Sequence, residues 1–333
     1  MNDPAFPAYD DVEAAARRIA GVVRRVPVVA GDADAFGGSE VYLVPEFIQN
    51  SGSFKDRGAA NFIAAHLESG TVPEAGVVIA SGGNAGLACA WAARLHAVRA
   101  TVFVPETAPR VKVAKLLAYG AEVRRVGTEY AHAAAAAAAF ADATGALPSH
   151  AYDDPHIAAG AGTLLLEILD QVPGLDSVVV AAGGGGLFTG TAITATTHGV
   201  RVVAVEPRTC RCLNAAIEAD AVVDVAVDSV AADALGARRA SEMALHWARA
   251  SGADSLLVPD ETIVAARRTL WQRYHFGVEH GGATAFAALL SGRYAPEPGE
   301  RVAVVLCGAN TDPTDLATDP PDPAGPAPAP APA

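Results

Sequence analysis

Three times in this chain a short apolar run gives way to a loop of small residues and then to a stretch with helical spacing. A fourth apolar run ends at a similar loop near the C-terminus. The runs are residues 40–45, 77–80, 177–182 and 302–306. The loops are Ser51-Gly52-Ser53-Phe54-Lys55-Asp56-Arg57-Gly58-Ala59, Ser81-Gly82-Gly83-Asn84-Ala85-Gly86, Gly183-Gly184-Gly185-Gly186-Leu187 and Cys307-Gly308-Ala309-Asn310. Strands that alternate with helical segments are joined by crossovers, which makes neighbouring strands parallel and leaves helices on the sheet faces. The pattern therefore predicts an α/β protein whose loops gather where such folds bind ligands, at the carboxyl ends of the strands.

Periodicity fills in the elements between the loops. Helices are expected over residues 11–23, 58–67, 85–96, 112–119, 131–143, 158–171 and 187–197, with further strands over 100–104, 122–126 and 200–205. The alanine tract at 131–143 has high intrinsic helix propensity. Residues 319–333 are almost wholly Pro and Ala, cannot bury a core, and are expected to be disordered or extended. No other fixed-period repeat occurs.

Composition narrows the functional classes. Hydrophobic residues make up 51% of the 333, enough for a large core, and only 6% are aromatic, which suits close helix-on-sheet packing. A formal charge of −13 opposes nucleic acid or an anionic membrane as the main partner. Cys89, Cys210, Cys212 and Cys307 lack CxxC spacing and follow no secretory signal, so free thiols in a reducing cytoplasm are expected. No apolar run reaches the ~20 residues needed to span a bilayer.

Each loop has chemistry of its own. Lys55 sits among small residues that let backbone approach a ligand, and a desolvated pocket there would favour the neutral amine of a Schiff-base lysine. Residues 183–186 lie between strand and helix, where side-chain-free backbone N–H groups point at a phosphate near the positive end of the helix dipole. Neither the dinucleotide fingerprint nor GxxxxGK[ST] fits this loop. Residues 81–84 also precede a helix and form a second anion site, suited to a carboxylate. Taken singly, Lys55 reads as a solvated surface lysine, Ser81 as an ordinary N-cap and Cys307 as an inert core thiol; their joint occurrence decides otherwise.

Together the loops resemble the fold-type II pyridoxal-phosphate (PLP) enzymes, and within them the serine/threonine dehydratases (threonine ammonia-lyases), over residues 15–315. The resemblance implies two open parallel-type twisted sheets flanked by helices, as in the tryptophan synthase β-like fold. It implies a large PLP-anchoring domain of residues 1–68 and 155–318 around a small domain of residues 69–154. Lys55 would carry PLP and act as catalytic base. Phe54, Asn84, Gly183, Gly184, Gly185, Gly186, Leu187, Gly236 and Cys307 would bind the cofactor, Asn84 at its phenolic oxygen and neutral Cys307 at its ring nitrogen. Ser51, Ser81, Gly82, Asn84 and Ala85 would hold the substrate, a small hydroxy-amino acid. Glu279 matches a family glutamate near the active site, followed here by His280 instead of proline. A homodimer is implied by family analogy.

Departures refine this expectation. Serine racemases carry a serine, their second base, where this chain has Gly82, so elimination should dominate over racemisation. The cation site of some relatives aligns with Glu206, the carbonyl of Cys210, and Cys212 in place of a carboxylate, which disfavours a hard cation; no metal is expected. No C-terminal regulatory domain is expected. The reaction implied is conversion of L-threonine or L-serine to 2-oxobutyrate or pyruvate and ammonia. Two alternatives stay open: β- or γ-replacement, as in cysteine and threonine synthases, and a non-catalytic PLP-binding protein.

Overall fold

A computed structural model of the protein describes residues 6–32 and 35–318; the Pro/Ala tail from residue 319 lies outside the described residues. The strands are β1 (Val29–Ala30), β2 (Glu40–Val44), β3 (Val77–Ala80), β4 (Ala100–Val104), β5 (Glu122–Arg125), β6 (Leu147–Pro148), β7 (Ser177–Ala181), β8 (Arg201–Pro207), β9 (Asp254–Val258) and β10 (Arg301–Val305). They form a six-stranded sheet ordered β1-β2-β10-β7-β8-β9 and a four-stranded sheet ordered β5-β4-β3-β6. Every pairing is parallel except that of β1 with β2.

The larger sheet explains the apolar runs. Leu43, Val304, Val179 and Val203 lie in register across β2, β10, β7 and β8, and all four are fully buried. Strands covered on both faces read as continuous apolar segments with no polar alternation. Because β2, β10 and β7 are parallel neighbours, their carboxyl ends share one edge. The lysine segment, Cys307 and the glycine loop therefore emerge side by side.

The chain leaves the large sheet through the helix Lys55–Glu68 and returns through Pro155–Gln171, and these two helices pack together. Their contact is backbone on backbone. A Cβ at Gly160 would lie 2.5 Å from the Arg57 carbonyl oxygen, and one at Gly58 would lie 2.7 Å from that of Ile157. The start of the second helix is fixed by Asp154, whose carboxylate accepts from the N–H groups of His156 and Ile157, with Pro155 as the first helical residue.

Several boundaries differ from the sequence expectation. The helix expected at 58–67 starts at Lys55, because the carboxylate of Asp56 accepts from the N–H and hydroxyl of Ser51 and winds the segment into its first turn. A 3₁₀ turn, Glu46–Ile48, separates β2 from the lysine loop, and Cys307 stands two residues past β10. The helix expected at 11–23 spans Tyr9–Ile19. Strands β1 and β9 and the helices Cys212–Ala219, Glu242–Ser251, Asp260–Tyr274 and His280–Leu290 were not marked by the sequence pattern.

Candidate active site

Lys55 is the first residue of its helix, and its Nζ donates to the Ala151 carbonyl at 2.9 Å. The same Nζ lies 4.8 Å from the Phe54 ring centroid. Burial drives the lysine down to about 8, although Cys307 and Glu279 pull the other way. Its neighbours anchor it firmly. Arg57, fully buried, makes paired hydrogen bonds of 2.7–2.9 Å to Glu46 and to Glu167, tying the 3₁₀ turn to the returning helix. The N–H of Phe54 donates to the Cys307 carbonyl at 3.0 Å, and Ser53 bridges Gly308, so the lysine segment is sewn to the end of β10.

Cys307 is almost wholly buried, with its thiol directed at the Gly281 carbonyl at 3.5 Å. Burial first, and then Glu279, push that thiol up to about 12. It is a neutral group.

The loop at 183–186 has no room for side chains. A Cβ at Gly184 would meet the Tyr152 ring at 2.3 Å; Gly185 has φ +109°, and its Cβ would stand 2.3 Å from that of Ala244. Gly185 is the N-cap of the helix Gly186–His198 and no side chain caps that helix, so the first N–H groups, from Gly186 and Leu187 onward, keep their donor capacity. Behind the loop, the Gly184 carbonyl accepts from the Ser241 N–H at 3.0 Å, and the Cys212 thiol donates to the Gly183 carbonyl at 3.3 Å. The Cys210 thiol donates to the carbonyl of Leu235, beside Gly236, at 3.0 Å. Glu206 is buried and accepts from the N–H groups of Leu213 and Asn214 at 2.9 and 2.6 Å, while burial raises it to about 8. Among the described residues no group of three or more His, Cys, Asp or Glu side chains is arranged to hold a metal ion.

Across the cleft, Gly83 is the N-cap and Asn84 the first residue of the helix Asn84–Leu95, again without a side-chain cap. The Ser81 hydroxyl accepts from the Gly83 N–H at 3.3 Å. The Asn84 amide donates to Glu279 at 2.6 Å and accepts from the Asn310 amide at 2.8 Å; the Asn310 N–H reaches the other Glu279 oxygen at 3.1 Å. Glu279 is buried, which raises it to about 7 against the pull of Asn84. Further ties cross the same cleft: Lys112 to both Asp233 oxygens at 2.6 Å, Lys115 to Asn310 at 3.3 Å, and the Tyr119 hydroxyl to the Asn50 carbonyl at 2.9 Å.

The structure thus brings Phe54, Lys55, Asn84, Ala85, the 183–186 loop, Leu187, Gly236, Glu279 and Cys307 around one cleft. Ser51 departs from its expected place. Its hydroxyl is used by Asp56 and its carbonyl by Asn310, so it braces the lysine segment. Asn310, Ser241 and Tyr152 were given no role by the sequence. Only the Asp-Asp-Pro helix start just after Tyr152 hinted that something precedes it.

A family model described as pyridoxal-phosphate dependent enzyme matches residues 19–308. The chain belongs to the pyridoxal-phosphate dependent enzymes. It is 36% identical to an L-threonine ammonia-lyase from Geobacter sulfurreducens over 83% of this chain and 68% of that relative. It is 30% identical to a β-hydroxyaspartate dehydratase from Paracoccus denitrificans over 92% of this chain and 97% of the other. Maize serine racemase superposes with a TM-score of 0.88 at 29% identity, covering 94% of this chain and 96% of that one. The residues present in this pyridoxal-phosphate enzyme fit the cofactor: a desolvated lysine amine for its aldehyde, an uncapped helix N-terminus behind a side-chain-free loop for its phosphate, and a neutral thiol for its ring nitrogen.

Proposed function

We propose that the protein is a PLP-dependent dehydratase that converts L-threonine or L-serine to 2-oxobutyrate or pyruvate and ammonia. The observation that carries this reading is the neutral, buried thiol of Cys307 beside a lysine held down to about 8. When bound, PLP supplies an electron sink for the charge released at the substrate Cα. A thiol at its ring-nitrogen end does not enforce full ring protonation, which favours elimination over transamination.

The chain's own residues supply the rest. The N–H groups opening the helix Asn84–Leu95, with the Ser81 hydroxyl, hold the substrate carboxylate. Lys55 takes the Cα proton; its lowered proton affinity leaves a larger share of neutral amine near physiological pH than a free lysine would have. N–H groups from Gly186 and Leu187 would hold the cofactor phosphate. Gly82 offers no side chain to return a proton to the opposite face, which supports elimination over racemisation. Two bodies, residues 69–154 and the remainder, frame the cleft in this reading.

Lys55→Ala is expected to abolish keto-acid release from serine, threonine and 3-hydroxyaspartate alike, along with the cofactor's absorbance band. A variant that keeps both overturns the assignment of Lys55. Keto acid formed without any added nucleophile separates a dehydratase from a synthase. The four cysteines are free in the structure, which supports a cytoplasmic setting; a homodimer completes the proposal, and sedimentation tests it.

A further inference from the structure

His150 lies in the segment that covers Lys55, and its protonation pattern is fixed by its neighbours. Its Nδ1 lies 2.7 Å from the Asp153 N–H and 3.3 Å from the Tyr152 N–H. A backbone N–H only donates, so Nδ1 must be an acceptor, and the ring proton resides on Nε2. Protonating Nδ1 as well would break both bonds. Burial and the charge of Lys55 also work against a second proton, with Asp153 opposing them.

The location gives this donor a purpose. Ser149, His150 and Ala151 line one pocket with Phe54, Lys55 and Ala85, and Ala151 is the residue whose carbonyl receives Lys55 Nζ. His150 therefore stands in the same wall as Lys55 and as Ala85, at the start of the helix assigned to the substrate carboxylate. Among the described residues Nε2 makes no hydrogen bond, and the residue is exposed at the surface of this segment. A neutral imidazole does not release its remaining proton near pH 7, so it is unsuited to protonate a leaving hydroxide. It is suited to recognise an oxygen.

We propose that His150 is a specificity residue whose Nε2–H donates a hydrogen bond to the oxygen on the substrate's β-carbon, selecting hydroxylated amino acids over those without the group. This rests on the dehydratase reading and adds what reads the hydroxyl.

The test compares ligands that differ only in that oxygen. L-threonine and L-2-aminobutyrate share the amino group, carboxylate and carbon skeleton. Each is titrated against holoenzyme, with the change in cofactor absorbance giving the dissociation constant of 2-aminobutyrate and keto-acid release giving kcat/KM for threonine. His150→Asn places a carbonyl oxygen where Nδ1 stood, which keeps the acceptor for the covering segment and deletes the Nε2 donor. We expect about a tenfold loss in kcat/KM for threonine, the size of one lost hydrogen bond. Affinity for 2-aminobutyrate should stay within about twofold. His150→Ala should lose at least as much on threonine and also lower Tm.

Equal losses for both ligands in His150→Asn overturn the assignment in favour of a structural role, and an unchanged kcat/KM for threonine overturns it outright. The two levels separate cleanly. Wild type that releases no keto acid from any hydroxy-amino acid removes the dehydratase reading, whereas active wild type with an indifferent His150→Asn removes only this one.

Discussion

Two loops face each other across the cleft, each joining a parallel strand to an uncapped helix, yet they are built on opposite terms. The one at 183–186 is gripped from behind by Tyr152, Ala244, Ser241 and the Cys212 thiol, and it admits no side chain. The one at 81–84 is looser: a Cβ at Gly83 would come no nearer than 3.8 Å to the Asp233 carbonyl oxygen, and one at Gly82 would stand 3.3 Å from Val104 Cγ1. It is held from the far side of the cleft, through Asn84 to Glu279 and Asn310. One loop is packed in place by its own surroundings, while the other is positioned by contacts with Glu279 and Asn310, which flank the larger sheet. A group bound identically every turnover suits the first, and a substrate that enters and leaves suits the second.

The largest expected effect breaks or confirms that contrast directly. Gly185→Ala forces a side chain into φ +109° and a 2.3 Å contact, and should cost about 2–4 kcal/mol in stability with loss of bound cofactor. Gly83→Ala, at φ −105°, should change stability by less than about 0.5 kcal/mol. Thermal melts and cofactor absorbance on the pair check this; equal tolerance would erase the distinction.

Lys55 stands between the loops, and its titration sharpens the picture. Only the unprotonated amine attacks an aldehyde, and burial lowers its proton affinity to about 8. The rate of PLP loading into apoprotein should therefore climb about tenfold per pH unit below that value and level off above it. A midpoint near that of an exposed lysine would mean that the cleft is wet. Glu279→Ala comes next in size. It strands the Asn84 amide and the Asn310 N–H in a buried site, and kcat should fall about 10–100-fold with cofactor content retained, because the glycine loop does not depend on it. Smallest is Lys112→Ala. Its partner Asp233 is 67% exposed, so the tie should contribute no more than about 1 kcal/mol, read as a change in KM of a few fold.

Much of this architecture was legible because burial on both faces writes itself as unbroken Val and Ala runs. β4 was read to the residue, and β7, β10 and the helix Gly186–His198 to within one. Short or half-exposed strands were not: β9 pairs with β8 yet buries only Val258 fully, so its pattern is weak. At the site, Lys55 and Cys307 were singled out only because four loops of the same kind occur together. Residues acting through a partner could not be found that way. Asn310 and Ser241 matter for the atoms they meet, and Ser51 was misplaced because its hydroxyl is satisfied five residues away by Asp56, which no motif displays.

The crossing at Gly58 and Gly160 carries a consequence for turnover. Two helices that touch peptide to peptide have no compliant side chains between them and slide poorly past each other. The amine at the head of the first helix is therefore held at a fixed station, so a base placed there need not be re-aimed for each substrate.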